Sequence, residues 1–181
     1  MTQDQKLKQI HQALKRKFKD KNLVLGHGAA DAKVVFVGTA PGEDEEREGR
    51  PIAGPSAKLL NQLLRSAGLT SRNIYVTNVL KYRLSDTKEP TSKEIKAHAI
   101  FLKEEIKSVN PQVVITLGNL ALTGIGLRQP LDNVHGRTFN FGTYELLPTF
   151  HPIQALENPD IRTLSQADFV KLKDLLKTRE S

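Results

Sequence analysis

Val34-Val35-Phe36-Val37-Gly38-Thr39-Ala40-Pro41-Gly42-Glu43-Asp44-Glu45-Glu46-Arg47-Glu48-Gly49-Arg50-Pro51 is the stretch that decides the fold. Four apolar residues run up to Gly38 and stop. Pro41 and Gly42 turn and stiffen the chain, four consecutive acids follow, and Gly49-Arg50-Pro51 closes the segment. A short continuous apolar run bounded by turn residues reads as a strand buried on both faces that empties into a rigid loop. In an open α/β sheet, loops at the carboxyl ends of the strands are where ligands bind.

The rest of the chain supplies matching parts. Upstream, residues 3–19 place Leu7, Ile10, Leu14 and Phe18 on one stripe and read as a helix. Downstream, Pro55 and Ser56 open a helix through Leu59, Leu60, Leu63 and Leu64 that ends at Gly68. Residues 74–78 read as a second strand. Pro90-Thr91-Ser92 leads into a helix carrying Ile95, Ile100, Phe101, Leu102 and Ile106. Residues 113–117 form a third strand, closed by Gly118, and 119–124 a short helix. Residues 139–141 and 144–147 flank Gly142 as a hairpin, whose second arm runs as the last strand into Pro148-Thr149-Phe150-His151-Pro152. A final helix covers residues 165–178. Strands alternating with helices predict the α/β class: one three-layer α/β/α domain over residues 1–181, with a central, mostly parallel four-stranded sheet. Residues 1–25 are expected as an N-terminal helix packed on it. The four strands end at Gly38, Asn78, Gly118 and His151, and a parallel sheet brings those ends to one edge.

Composition narrows the chemistry. A chain of 181 residues suits one domain with a full core. Lys plus Arg number 27 against 20 acids, a net charge of +7, which favours polyanion partners. The dense run Lys15-Arg16-Lys17-Phe18-Lys19-Asp20-Lys21 also reads as the solvated face of an amphipathic helix. The chain has no cysteine, which excludes disulfides, a thiolate nucleophile and a cysteine-ligated metal cluster. No stretch is apolar enough for a membrane span, and the first residues lack a signal-peptide core, so a cytoplasmic setting away from membranes is expected. A nucleotide-binding hydrolase built on the Gly38–Gly42 loop is the competing reading. The lack of a GxxxxGK[ST] or GxGxxG run argues against it.

In their order and spacing the four loops resemble the uracil-DNA glycosylase superfamily, and family 4 within it. The first motif is Gly38 to Glu46 with Gly49-Arg50-Pro51-Ile52; the second is Tyr75-Val76-Thr77-Asn78-Val79-Leu80-Lys81-Tyr82-Arg83. The third is Val114-Ile115-Thr116-Leu117-Gly118, and the last Leu147-Pro148-Thr149-Phe150-His151-Pro152. The resemblance implies an enzyme that hydrolyses the N-glycosidic bond of uracil in DNA and leaves an abasic site. The chain departs from the family pattern at instructive places. Thr39 stands where family 4 usually has Glu, and Ile52 where it has a base-stacking Phe. The cysteines of the family's iron–sulfur cluster fall near His11, Leu14, Tyr82 and His98, so the resemblance is to a cluster-free member needing no cofactor or metal.

The resemblance also distributes roles. His151 would place an imidazole N–H at uracil O2 as the base departs. Asn78 would accept from N3–H and donate to O4, a pattern that cytosine reverses. Gly38, Ala40, Pro41 and Gly42 would offer backbone groups to the base or water, and Thr39, facing the base, is the second catalytic candidate. Ile52 would cover one face of the base without aromatic stacking. Lys81, on the Asn78 loop, would meet the substrate or support its pocket. Ser56 and Lys58, with Gly118 and Asn119, stand at helix starts suited to DNA phosphates. Pro152 and Leu156 follow the histidine, with Leu156 as the duplex wedge and Glu157 where the family has Arg. His135-Gly136-Arg137 falls where the family often has an Arg-Gly turn, and would contact the DNA backbone. Taken singly, a His-Pro pair is a turn and an Asn at a strand end is a cap. The expected partner is DNA carrying uracil or another deaminated base, hypoxanthine or xanthine, bound by a monomer. The alternative is a catalytically silent DNA-binding protein of the same fold.

Overall fold

A computed structural model of the chain describes residues 1–85 and 88–180. It opens with helix α1 (Gln3–Lys17), strands β1 (His27–Gly28) and β2 (Val34–Gly38), and helices α2 (Glu43–Glu48) and α3 (Gly54–Ser66). Strand β3 (Ile74–Asn78), helix α4 (Ser92–Val109), strand β4 (Val113–Leu117) and helices α5 (Asn119–Ile125) and α6 (Leu131–Val134) follow. Strands β5 (Phe139–Asn140) and β6 (Glu145–Thr149) and helices α7 (Pro152–Glu157) and α8 (Pro159–Glu180) complete it.

The strands form one mixed sheet in the order β1-β3-β2-β4-β6-β5. Its four central strands are parallel, as the sequence implies, but the sheet has six strands because β1 and β5 pair antiparallel at the two edges. Each edge strand is two residues long, too short to show the alternation that marks a strand in sequence. Gly38 is in register with Asn78, and Leu117 with Thr149, so all four central strands release their chains at one level.

Alternation along the strands divides the core. Val35, Val37, Tyr75, Val114 and Leu146 face α1, α4, α5 and α6, against Leu7, Leu102, Ile106 and Leu122. Val34, Phe36, Ile74, Ile115 and Leu147 face α3, α7 and α8, against Leu60, Leu64, Ala155, Phe169 and Leu172. The sheet is thus covered on both sides, which is why its strands read as unbroken apolar runs.

Helix ends differ from expectation for local reasons. Thr2 and Gln5 form a capping box that starts α1, and the helix stops at Lys17, two residues early, as Phe18 turns onto His98. The last helix begins at Pro159, well before residue 165, because the Asn158 side chain accepts from Asp160 N–H at 2.9 Å and Pro159 fits the first turn. The acids from Glu43 are the first turn of α2, where the helix dipole favours them. Among the described residues no helix is long and apolar enough to cross a membrane.

Candidate active site

Three of the four strand ends meet at Gly38. A β-carbon built there would collide with Asn78 Oδ1 and lie 3.7 Å from His151 Nε2. Only glycine lets the amide and the imidazole approach the same point from β3 and β6. Backbone bonds lock the arrangement: Val79 N–H donates to Gly38 O and Leu80 N–H to Thr39 O, each at 2.9 Å. Gly118 N–H donates to Thr149 O at 2.9 Å and ties the third loop to the fourth.

Asn78 is 1% exposed, and its amide orientation is chemically fixed. Nδ2 donates to Pro51 O at 3.0 Å, and a carbonyl only accepts. Oδ1 therefore points the other way, and it is buried with no hydrogen-bond partner among the described residues. Leaving a buried acceptor unpaired costs about 1–3 kcal/mol, and such groups concentrate at functional sites.

His151 complements it. As N-cap of α7 it accepts Ile153 N–H on Nδ1 at 3.1 Å, so the neutral ring carries its hydrogen on Nε2, the atom nearest Gly38. Gln154 Oε1 accepts His151 N–H at 3.0 Å and completes the capping box. Burial pushes the His151 pKa down to about 4, so the ring is neutral at physiological pH. An unpaired acceptor and a neutral donor thus converge across one glycine.

The first loop is braced from beneath. Glu45 accepts Gly42 N–H at 2.9 Å and Ala53 N–H at 3.0 Å on its two oxygens, tying the loop to the Ile52 segment. Thr39, Ala40 and Gly42 are half-buried and Pro41 is buried. Ile52 is 8% exposed and packs into the α3 side of the core. Ser56 lies in the first turn of α3 and Lys58 at the start of the second, half-buried and exposed respectively. Asn119 opens α5 and is exposed, but its Oδ1 accepts Leu131 N–H at 3.1 Å. Pro152 is buried at the start of α7, Leu156 is 42% exposed and Ile153, one turn before it, is 51% exposed. The bracing roles of Glu45 and Gln154 escaped the sequence reading, although both sit three residues after a helix cap, where a carboxylate or amide reaches back.

Lys81, expected at the pocket, is wholly buried behind it. Its ammonium donates to Thr77 Oγ1 at 2.7 Å and to Asn78 O, and pairs with Glu105 Oε1 at 2.5 Å. Glu105 also accepts from Thr77 Oγ1 and, at 2.8 Å, from the Tyr75 hydroxyl. Burial and the neighbouring Glu105 charge raise the Tyr75 pKa, so the hydroxyl keeps its proton. Lys81 touches the site only through the Asn78 backbone. The missed partner, Glu105, had left a signal: a lone acid on the apolar stripe of Leu102, Ile106 and Val109.

Residues 25–177 match the family model described as the uracil DNA glycosylase superfamily. The chain belongs to the uracil-DNA glycosylase superfamily. It is 36% identical over 169 residues to the type-4 uracil-DNA glycosylase of Saccharolobus solfataricus, covering 88% of this chain and 78% of that one. With the type-4 uracil-DNA glycosylase of Thermotoga maritima it shares 36% identity over 161 residues, 86% and 84% of the two chains. It is also 27% identical over 152 residues to the DNA polymerase of Bacillus phage SP01, covering 83% of this chain but 16% of that one.

The iron–sulfur cluster implied by the family-4 resemblance does not fit these side chains. Iron–sulfur clusters are held by thiolates, and none exists here. Leu14 offers no donor atom. His11 Nε2 lies 3.3 Å from the Tyr75 hydroxyl, and His98 Nδ1–H donates to Glu94 O at 2.8 Å. Phe18 stacks on His98 at 4.4 Å, and Tyr82 meets the same ring edge-on at 5.2 Å. An aromatic plug joins α1, the Asn78 loop and α4 at the positions of the cluster.

Proposed function

We propose that the chain is a monomeric, monofunctional DNA glycosylase that hydrolyses the N-glycosidic bond of uracil and leaves an abasic site. The observation that carries this reading is the pairing of a buried, unpartnered Asn78 Oδ1 with the Nε2–H of a neutral His151 across Gly38. Uracil offers the complement, with N3–H for Oδ1 and O2 for Nε2–H. The second Nδ2 hydrogen of Asn78 serves O4. A uracil in a duplex must first leave the stack to reach these groups. Type-4 relatives named for this activity, and a net charge of +7 suited to DNA, support the reading.

The proposed reaction runs as one bond cleavage and one addition of water. The C1′–N1 bond breaks, and its electron pair leaves with the base as an N1 anion delocalised onto O2. His151 Nε2–H stabilises that charge, and a ring already neutral needs no prior loss of a proton. Water adds to the oxocarbenium-like C1′ and releases its proton to solvent, while the base takes one up on leaving. Thr39, half-buried after Gly38, offers a hydrogen-bonding group without basicity near neutral pH. Glu45 is held by two backbone amides and braces the loop.

Hypoxanthine and xanthine present the same two groups to Asn78, with N1–H in place of N3–H and O6 in place of O4, but hypoxanthine has no O2 for His151. Ile52, packed into the core with no aromatic ring to stack on a base, favours testing them beside uracil. The experiment is incubation of excess protein with labelled single-stranded oligonucleotides carrying one uracil, hypoxanthine or xanthine, followed by hot alkali. Strand scission at uracil is the expected result. Scission at a purine alone would move the specificity. Intact strands with oligonucleotide binding retained would overturn the enzyme in favour of a DNA-binding protein.

A further inference from the structure

We propose that the groove between α4, α5 and the β5–β6 hairpin is a docking site for a short acidic amphipathic helix of a partner protein. The helix would lay its apolar stripe in the groove and set its carboxylates on the lysines of α4. The groove measures about 800 Å³ and is lined by Leu102, Ile106, Ile125, Phe141 and Tyr144, with Ile100 at its lip. Phe141 and Tyr144 stack on each other, ring centroids 5.6 Å apart, and with Ile125 they are only half-buried against the core. Ile100 is 61% exposed. An apolar side chain that open, beside half-covered aromatic rings, marks surface suited to burial by a partner.

Charge selects the occupant. Lys96, Ile100, Lys103 and Lys107 stand at i, i+4, i+7 and i+11 and form one stripe along α4, about 16 Å long. The three lysines are exposed, and none has an ion-pair partner among the described residues. Glu104 is the one carboxylate among the described lining residues, so the rim is positive. Its complement is a helix of about three turns with apolar anchors on one stripe and Glu or Asp beside it. A nucleic-acid backbone would answer the lysines and leave the apolar floor uncovered; an amphipathic helix answers both.

Position points the same way. Helix α4 leads back to the start of β4 and ends at Val109, just before Val113. Tyr144 precedes Glu145, which is in register with Val113, so the aromatic pair also lies at the amino ends of the strands. Ile125 closes α5, which leaves the carboxyl end of β4 and runs away from it. The groove therefore opens toward the amino ends of the strands, whereas Gly38, Asn78 and His151 gather at the carboxyl ends. A partner seated in it leaves the candidate active site uncovered.

The probe is a fluorescein-labelled peptide of about 14 residues, long enough to cover the stripe, with Leu at i, i+4, i+7 and i+11 and Glu on both flanks. Two control peptides replace its Leu by Ser or its Glu by Lys. Fluorescence anisotropy reads Kd for the wild type, Ile100→Glu and the double variant Lys103→Glu, Lys107→Glu, at about 50 and 150 mM salt. All three positions are exposed, so both variants are expected to keep the wild-type melting temperature. The acidic leucine peptide is expected to bind the wild type with a micromolar Kd, and both controls about tenfold more weakly or worse. Each variant weakens the leucine peptide by about tenfold, and added salt weakens the wild-type complex. No binding, a serine peptide as tight as the leucine one, or unchanged affinity in Ile100→Glu would overturn the site. A dimer in sedimentation that Ile100→Glu abolishes would overturn it in favour of a second copy of the chain. A matching loss of oligonucleotide affinity in the lysine variant would overturn it in favour of nucleic acid. Uracil excision, measured in parallel, is expected to be unchanged in both variants. If the wild type excises nothing, the glycosylase reading falls and the peptide result stands, because the groove shares no residue with that site.

Discussion

Two buried polar constellations meet at the end of β3, and they are completed to different degrees. Behind Asn78, Lys81 is paired with Glu105, Thr77 and the Asn78 carbonyl, and Glu105 also holds the Tyr75 hydroxyl. In front, Asn78 Oδ1 has no partner among the described residues, and His151 Nε2 is directed at the same space. A completed network fixes a shape, because any movement breaks bonds that water cannot replace. An incomplete one holds its groups ready for a ligand that supplies the missing half. One asparagine belongs to both, its backbone to the scaffold and its side chain to the site.

The largest expected effect comes from breaking the completed side. Lys81→Met leaves Glu105 charged and buried without its counter-ion, which costs about 3–5 kcal/mol of stability. Urea unfolding measures the loss, and Lys81→Met with Glu105→Leu recovers most of it, since a matched apolar pair removes both charges. If Lys81→Met unfolds like the wild type but stops excising uracil, Lys81 belongs to the front region and the contrast collapses.

Next in size is His151→Ala. Loss of a preorganised donor to the departing base lowers the single-turnover excision rate by about 10²–10³-fold, with DNA affinity little changed. The same ring gives a pH signature. Its folded pKa is about 4 against an ordinary 6.5, so the unfolded chain binds the proton more readily. The stabilisation is complete above pH 6.5 and is lost as pH falls toward 4, by roughly 3 kcal/mol. His11 and His98, also held low by burial, act in the same direction. Acid titration of stability by circular dichroism is therefore expected to be shallower for His151→Ala. An equally steep curve would mean that the ring is not held neutral by the fold.

Asn78→Ala tests the incomplete side for stability as well as chemistry. The substitution removes one bond, to Pro51 O, and one orphan acceptor, so unfolding free energy changes by only about 1 kcal/mol. Uracil excision falls about tenfold to a hundredfold, because the acceptor for N3–H is gone. A stability loss as large as that of Lys81→Met would make Asn78 a structural residue first.

The sequence shows the front region better than the back. Gly38, Asn78, Gly118 and His151 each follow a short apolar run, and parallel pairing alone carries them to one edge. The four central strands and the two-sided burial come from the same signal. The burial of Lys81 is not legible because a lysine after a strand resembles surface charge, and its partner lies 24 positions on, inside a helix. Burial of a charge is decided by that long-range pairing, which spacing does not encode. The edge strands are too short to show a period, and α7 hides in the loop expected to carry the wedge. Leu156 is on that helix with Ile153 one turn before it, so the exposed apolar surface beside His151 comes from two residues.

The smallest effect concerns the brace under the first loop. Glu45 has both carboxylate oxygens engaged, one on Gly42 N–H and the other on Ala53 N–H. Glu45→Gln keeps a single acceptor and turns an amide NH₂ toward the other backbone N–H. The expected cost is about 1 kcal/mol in urea unfolding, the scale of one charge-assisted bond at a helix start. The effect on excision separates two roles for the loop. If Gly42 and Ile52 must be held together to receive the base, Glu45→Gln raises the substrate concentration for half-maximal rate and leaves the bond-breaking step nearly unchanged. If instead the single-turnover rate at saturating DNA falls as far as in His151→Ala, the carboxylate takes part in the chemistry, and a group paired on both oxygens in the free protein must release one of them when DNA binds.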